Sequence, residues 1–127
     1  MLLNFRITNF RSINEMVELS MIPSDLKNPV NRIIKTNPNA TKNKDHYGLT
    51  SAAIYGPSAS GKSNIVKALG AFRNFVKNST DNKPNDTIKL YNPFILCKEN
   101  ILKPSCFSID FLIFLTYLYF LFCFKSI

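Results

Sequence analysis

The chain has 127 residues and a formal net charge of +8, from 16 Lys and Arg against 8 Asp and Glu. That length is one domain or a piece of one, and the three cysteines, Cys97, Cys106 and Cys123, are odd in number, irregularly spaced and without a C-x-x-C pair. They argue against a disulfide framework or a zinc site and fit a reducing, cytoplasmic compartment. Met1 to Arg6 carries no basic lead into an apolar stretch, so no secretory signal is read there.

Taken in chain order, Leu2 to Asn9 alternates, with Leu3, Phe5 and Ile7 on one side and Asn4, Arg6 and Thr8 on the other. This predicts a strand with one wet face. Asn9-Phe10-Arg11-Ser12 reads as a turn. Glu15 to Ile22 then alternates again, with Val17, Leu19 and Met21 opposite Met16, Glu18 and Ser20. Two strands joined by a short polar turn predict an antiparallel pair. Residues 23 to 46 hold three prolines and many asparagines, a loop with a short structured piece at Val30 to Ile34. His46, alone in that polar surrounding, is given no role.

Gly56-Pro57-Ser58-Ala59-Ser60-Gly61-Lys62-Ser63 spells G-x-x-x-x-G-K-S, the phosphate-binding P-loop or Walker A pattern. Its glycines let the backbone curl so that several N–H groups face one phosphate. The lysine reaches the β- and γ-phosphates, and the Ser63 hydroxyl can sit on Mg²⁺. Context supports the motif. Ser51-Ala52-Ala53-Ile54-Tyr55 is a short apolar run before it, the expected strand. After it, Ile65, Ala68, Leu69, Phe72 and Val76 recur on one helical face. An ordinary Gly-Ser loop leaves Lys62-Ser63 at a helix N-terminus unexplained, where N–H groups and the helix dipole attract anions. A nucleotide phosphate with Mg²⁺ is the expected ligand.

Beyond the predicted helix, Asn78 to Asp86 is polar and turn-like. Thr87 to Leu96 offers a short strand interrupted by Pro93. Phe107, Ile109 and Phe111 alternate with Ser108 and Asp110, predicting another strand with one polar face. Phe111 to Phe124 then runs FLIFLTYLYFLFCF, uncharged, without alternation. Three readings compete for it. A membrane anchor is one, although a helix of that length spans about 21 Å against a hydrocarbon core of roughly 30 Å. A buried core element is the second. The third, which the composition favours, is the product of a reading-frame shift in T-rich DNA, never selected as protein. The positive charge has a matching bland account. Lys outnumbers Arg, Asn and Ile abound, and no Lys/Arg cluster forms a patch, as in an A/T-rich coding sequence. A nucleic-acid module carried by that charge is the remaining reading.

The strand ending in Asn9-Phe10-Arg11-Ser12, together with Ala53-Ile54-Tyr55-Gly56 and Gly61-Lys62-Ser63-Asn64, resembles the N-terminal part of ABC-type AAA-family ATPases. The resemblance is to RecF- and SMC-like proteins, and more closely to their abortive-infection and overcoming-lysogenization relatives. It runs over residues 1–113 and stops where the composition breaks. It departs from the common pattern at Pro57 and Ser58, where neither a glycine, the lysine nor the hydroxyl is lost. It implies an α/β fold, the N-terminal lobe of a P-loop NTPase of the ABC/RecF type, with an antiparallel strand pair followed by strand, P-loop and helix, and residues 114–127 left as an apolar tail outside the fold. It implies ATP binding by Gly56, Pro57, Ser58, Ala59, Ser60, Gly61, Lys62, Ser63 and Asn64, with Arg11 and Ser12 near the nucleotide and Ser63 on Mg²⁺. The family hydrolyses ATP and its full-length members dimerise, with DNA or a partner nuclease as possible partners. The acidic Walker B pair, the signature loop and the downstream switch histidine of that family are missing here, which implies a truncated lobe that binds without turnover. No catalytic residue is therefore assigned. The rival from another class is a small membrane-tethered accessory protein using the C-terminal apolar segment.

Overall fold

A computed structural model describes residues 1–22, 49, 51–79, 90–113 and 116–125. Val30 to Ile34, His46 and residues 87–89 lie outside them. Four strands and two helices follow in the order β1 (Leu2–Thr8), β2 (Val17–Ser20), α1 (Lys62–Lys77), α2 (Lys98–Ile101), β3 (Ser105–Ile113) and β4 (Thr116–Phe124). The strands form one sheet in the order β2-β1-β3-β4, and every pairing is antiparallel.

The alternation of β1 decides which way the sheet faces. Leu3, Phe5 and Ile7 are buried, and register places Phe5 beside Leu19 and Ile109, and Ile7 beside Val17 and Phe107. Their shared face receives α1, whose Ala68 and Phe72 are buried and whose Ile65, Leu69, Ala71 and Phe75 pack around them. The Phe72 ring meets Phe5 at 5.9 Å and Phe122 at 5.5 Å, and Phe75 meets Phe124 at 4.9 Å. Tilted and edge-on contacts at such distances suit the ring quadrupole. Val76, expected on the buried face, is instead exposed, and Phe75 takes that place.

The opposite face is polar but not wet. Asn4, Ser108 and Asp110 are all buried, because β1 and β3 are the two central strands and their neighbours crowd them. Arg6 Nη1 donates to Asp110 Oδ2 at 2.9 Å and Arg6 Nε to Glu18 Oε2 at 2.8 Å, while Asn4 Nδ2 donates to Asp110 Oδ2 at 2.9 Å. Burial pushes the Asp110 carboxyl up, but the hydrogen bonds from Asn4 and Arg6, with a smaller contribution from Tyr117 and the charge of Arg6, outweigh it and hold the group below the ordinary carboxylate range. Among the described residues, Asp110 Oδ1 and Asn4 Oδ1 have no hydrogen-bond partner.

This architecture corrects the expected α/β P-loop lobe. Residues 51–56 form no strand and are exposed, with Tyr55 92% accessible. Two physical reasons stand out. A buried parallel strand needs a continuous apolar run, and Ser51-Ala52-Ala53 supplies little side chain to bury. Both flanks of β1 are also filled, by β2 and β3, so no slot remains beside it. Residues 90–96 likewise form coil and turn in place of a strand. The apolar segment set apart by composition carries β4, paired along its whole length with β3. Phe122 and Phe124 face the helix from it, and Phe124 is buried.

Register also explains a bond that cysteine spacing did not suggest. Cys106 and Cys123 sit directly opposite each other on β3 and β4 with Cα atoms 4.1 Å apart, and they form a disulfide. So short a separation belongs to the narrow, non-hydrogen-bonded pairing of antiparallel strands, which brings side chains closest. Cys97 is free.

Candidate functional site

The P-loop residues form a curled loop running directly into α1. Gly61 takes φ 88° at the N-cap, and Gly56 takes φ 156°. A side chain is disfavoured at both positions by conformation, and space is tight as well. A Cβ on Gly61 would lie 3.3 Å from Ser12 Oγ, and one on Gly56 the same distance from Ser60 Oγ. Ala59 is also left-handed, at φ 63°. Alternating hand of this kind turns successive N–H groups toward one point, the concavity that binds anions.

Lys62 closes the loop. Its ammonium Nζ donates to the carbonyl oxygens of Gly56 at 2.9 Å and Pro57 at 2.5 Å, and to Ser60 Oγ at 3.2 Å. The three donors of the ammonium thus meet three oxygens of the loop, and the charge is held over the curl. The start of α1 has no side-chain cap and no acidic residue in its first turn. First-turn N–H groups left without a helical acceptor carry the positive end of the dipole.

A shallow cavity of about 200 Å³ lies here, lined by Ser12 and by Ala59, Ser60, Gly61, Lys62, Ser63 and Asn64. Its lining brings hydroxyl, amide and ammonium groups, which suit phosphate oxygens, together with a slightly larger share of apolar surface. Gly56, Pro57 and Ser58 are not part of that lining. The first two shape the loop through their carbonyls, and Ser58 sits exposed at its turn. Of the N-terminal pair, Ser12 reaches the cavity and Arg11 does not: the Arg11 guanidinium lies 5.8 Å from the centre of the Phe10 ring.

The turn that delivers Ser12 is built around Asn9, which the sequence alone marks only as a turn position. Asn9 is buried and left-handed, at φ 53°. Its Nδ2 donates to the carbonyls of Asn100 at 2.8 Å and Lys103 at 2.9 Å, its Oδ1 accepts from the Phe94 N–H at 2.9 Å, and its own carbonyl accepts from Ser105 Oγ at 2.6 Å. Arg11, left-handed at φ 54°, donates its N–H to the Asn92 carbonyl at 2.7 Å. Both ends of the turn are thereby fixed to residues 92–105, and Ser12 projects toward α1, where its Oγ accepts from Asn64 Nδ2 at 2.7 Å. Asparagine tolerates the left-handed region and bonds neighbouring backbone, which is the sequence signal that identifies such a hub.

For Mg²⁺ the fit is partial and chemically consistent. Ser63 is exposed in the first turn of α1, and its hydroxyl is a hard oxygen donor. Among the described residues no group of three or more His, Cys, Asp or Glu could hold a metal by itself. A cation here depends on oxygens supplied by the ligand, as is usual for Mg²⁺ bound with phosphates. Among the described residues no helix is long and apolar enough to cross a membrane. Comparison with protein-family models, with curated proteins and with solved structures finds no match.

Proposed function

We propose that this chain binds the phosphate chain of ATP, with Mg²⁺, through residues 56–64. The observation that carries the reading is the placement of Lys62. Its ammonium spans the curled loop on three oxygens at the first residue of α1, where phosphate oxygens can replace the carbonyls it now holds. Mg²⁺, when bound, draws charge from the phosphates, with Ser63 Oγ as its protein ligand. Ser12 and Asn64, joined at 2.7 Å, close the adjacent wall. The motif, not the architecture of the sheet, supports kinship with the AAA- and ABC-type ATPases, and the family's hydrolysis and DNA- or nuclease-linked roles would need groups from beyond these residues. The compartment that goes with this reading is the cytoplasm, although the Cys106–Cys123 disulfide is a bond that a reducing compartment disfavours.

The test is calorimetry of the full chain with ATP and Mg²⁺. Binding is expected for the wild type, with a loss of at least about thirtyfold in Lys62→Ala, the order expected when one charge-assisted phosphate contact of 2–3 kcal/mol is removed. Equal affinity in the two proteins would sink the reading.

A further inference from the structure

The two outer strands of the sheet differ in how they meet solvent. β2 has four residues and carries Glu18, and short, charged edges resist pairing with other strands. β4 has nine residues, Thr116 to Phe124, with no charge and no proline. Among the described residues it pairs only with β3. Its side chains are uncovered on both faces: Tyr117, Tyr119 and Leu121 on the outer face are 56%, 53% and 56% accessible, and Phe120 on the helix face is 44% accessible. Among the described residues this is a long apolar edge without charge or proline to guard it.

We propose that β4 is the interface for a second copy of this chain, two β4 strands pairing antiparallel about a two-fold axis at Phe120. Three observations favour a second copy. Phe120 is the central residue of β4, so a two-fold there pairs the strand over its full length, setting Tyr119 against Leu121 and Leu118 against Phe122 of the other copy. Such aromatic and aliphatic cross-strand pairs are favourable. The nearest charge along the chain, Lys125, falls at opposite ends of an antiparallel pair, about 30 Å apart at roughly 3.3 Å per residue. A parallel arrangement would place the two lysines side by side. The area is also sufficient for a weak dimer. Side chains of this size bury about 150–250 Å² each when fully covered, so the half-exposed side chains here leave on the order of 400 Å² per copy. Edge pairing covers the main chain and only the flanks of those side chains, so the buried area stays below the roughly 600 Å² per copy at the low end of standard interfaces and places the dimer among weak, transient ones. Because each copy is positively charged, added salt should tighten the dimer by screening, the reverse of nucleic-acid binding.

Sedimentation of the full chain tests this. The expected result is a monomer–dimer equilibrium with a dissociation constant on the order of 10 μM, tightening as salt is raised to about 0.5 M. Leu121→Lys should weaken it by at least about tenfold, the effect of about 1.4 kcal/mol, and Ser20→Lys on β2 should leave it unchanged. Amide exchange on the wild type needs no variant to fold: β4 amides should slow with rising protein concentration while β2 amides do not. A monomer at high concentration, open-ended oligomers, a dimer indifferent to Leu121→Lys, or β4 exchange independent of concentration would each overturn the proposal.

Discussion

The P-loop and the sheet are held together in opposite ways. Residues 51–60 are exposed throughout, and the shape of the loop comes from bonds within a few residues, above all those from Lys62 to Gly56, Pro57 and Ser60. The sheet joins residues at the two ends of the chain. Asn4 meets Asp110 across 106 positions, and the core of Phe5, Ile7, Phe107 and Ile109 forms only when β1 and β3 lie side by side. In a loop held by its own atoms, a ligand contact can be removed without disturbing the fold. In a sheet held by distant contacts, a change far from any ligand should threaten the whole fold. Substitutions can break or sharpen this contrast.

The largest effect on folding is expected at Phe72, the one α1 side chain whose ring meets β1, β3 and β4 together. Phe72→Ala should cost about 3–5 kcal/mol of unfolding free energy, the usual range for an aromatic removed from a core. Urea unfolding with a loss below about 1 kcal/mol would mean that the helix is not packed on the sheet as described.

Asp110 comes next. Asp110→Ala takes a buried acceptor from Asn4 and Arg6, and because Arg6 is partly exposed and keeps Glu18 the cost should be about 2–3 kcal/mol, less than for a fully buried pair. The same carboxylate sets an acid dependence. Its folded pKa is lowered, so its contribution is fully present above the unfolded value near 3.8 and is lost as pH falls through the lower folded value. Thermal unfolding should show the wild type losing stability as pH falls below about 4, and Asp110→Asn losing less over that range. Parallel acid profiles for the two proteins would show that another carboxylate governs the transition.

The disulfide should matter somewhat less. Cys106 and Cys123 are separated by 17 positions, and a loop of that size is worth about 3 kcal/mol by chain entropy when nothing else closes it. Here the hairpin pairing already closes it, so reduction should cost about 1–2 kcal/mol, read as a lower Tm in reductant. A Tm identical with and without reductant would show that the two sulfurs are not bonded in solution.

The smallest effect on folding is expected at Lys62. Its side chain touches only loop oxygens, so Lys62→Ala should change stability by no more than about 0.5 kcal/mol, although it is expected to abolish ATP binding. A large destabilisation measured by denaturant titration would erase the distinction between loop and sheet.

How much of this was readable beforehand follows the same division. The curl at Gly56 to Gly61, the helix opening at Lys62 and its face of Ile65, Ala68, Leu69 and Phe72 are local features, and eight to fifteen consecutive residues suffice to specify them. The alternation in β1, β2 and β3 correctly assigned Phe5, Leu19 and Phe107 to the packed face. The same alternation misjudged the other face: Asn4 and Asp110 look solvent-facing by residue type and are buried, because a central strand has neighbours on both sides. The buried role of Asn9 was also hidden, since its partners at 94, 100 and 103 approach only in the folded chain.

By itself, the sequence determined the elements whose physics is short-range: the curled glycine loop, the amphipathic helix that follows it, the period-two strands and the αL-tolerant residues of the turn. Tertiary structure alone decided how those elements combine. It placed β1 between β2 and β3 and left residues 51–56 outside the sheet. It recruited the uncharged run 116–124 as β4 and put Cys106 opposite Cys123. The reason is that strand neighbours are chosen by free main-chain edges and by which apolar faces cover one another, and both depend on partners a hundred residues away.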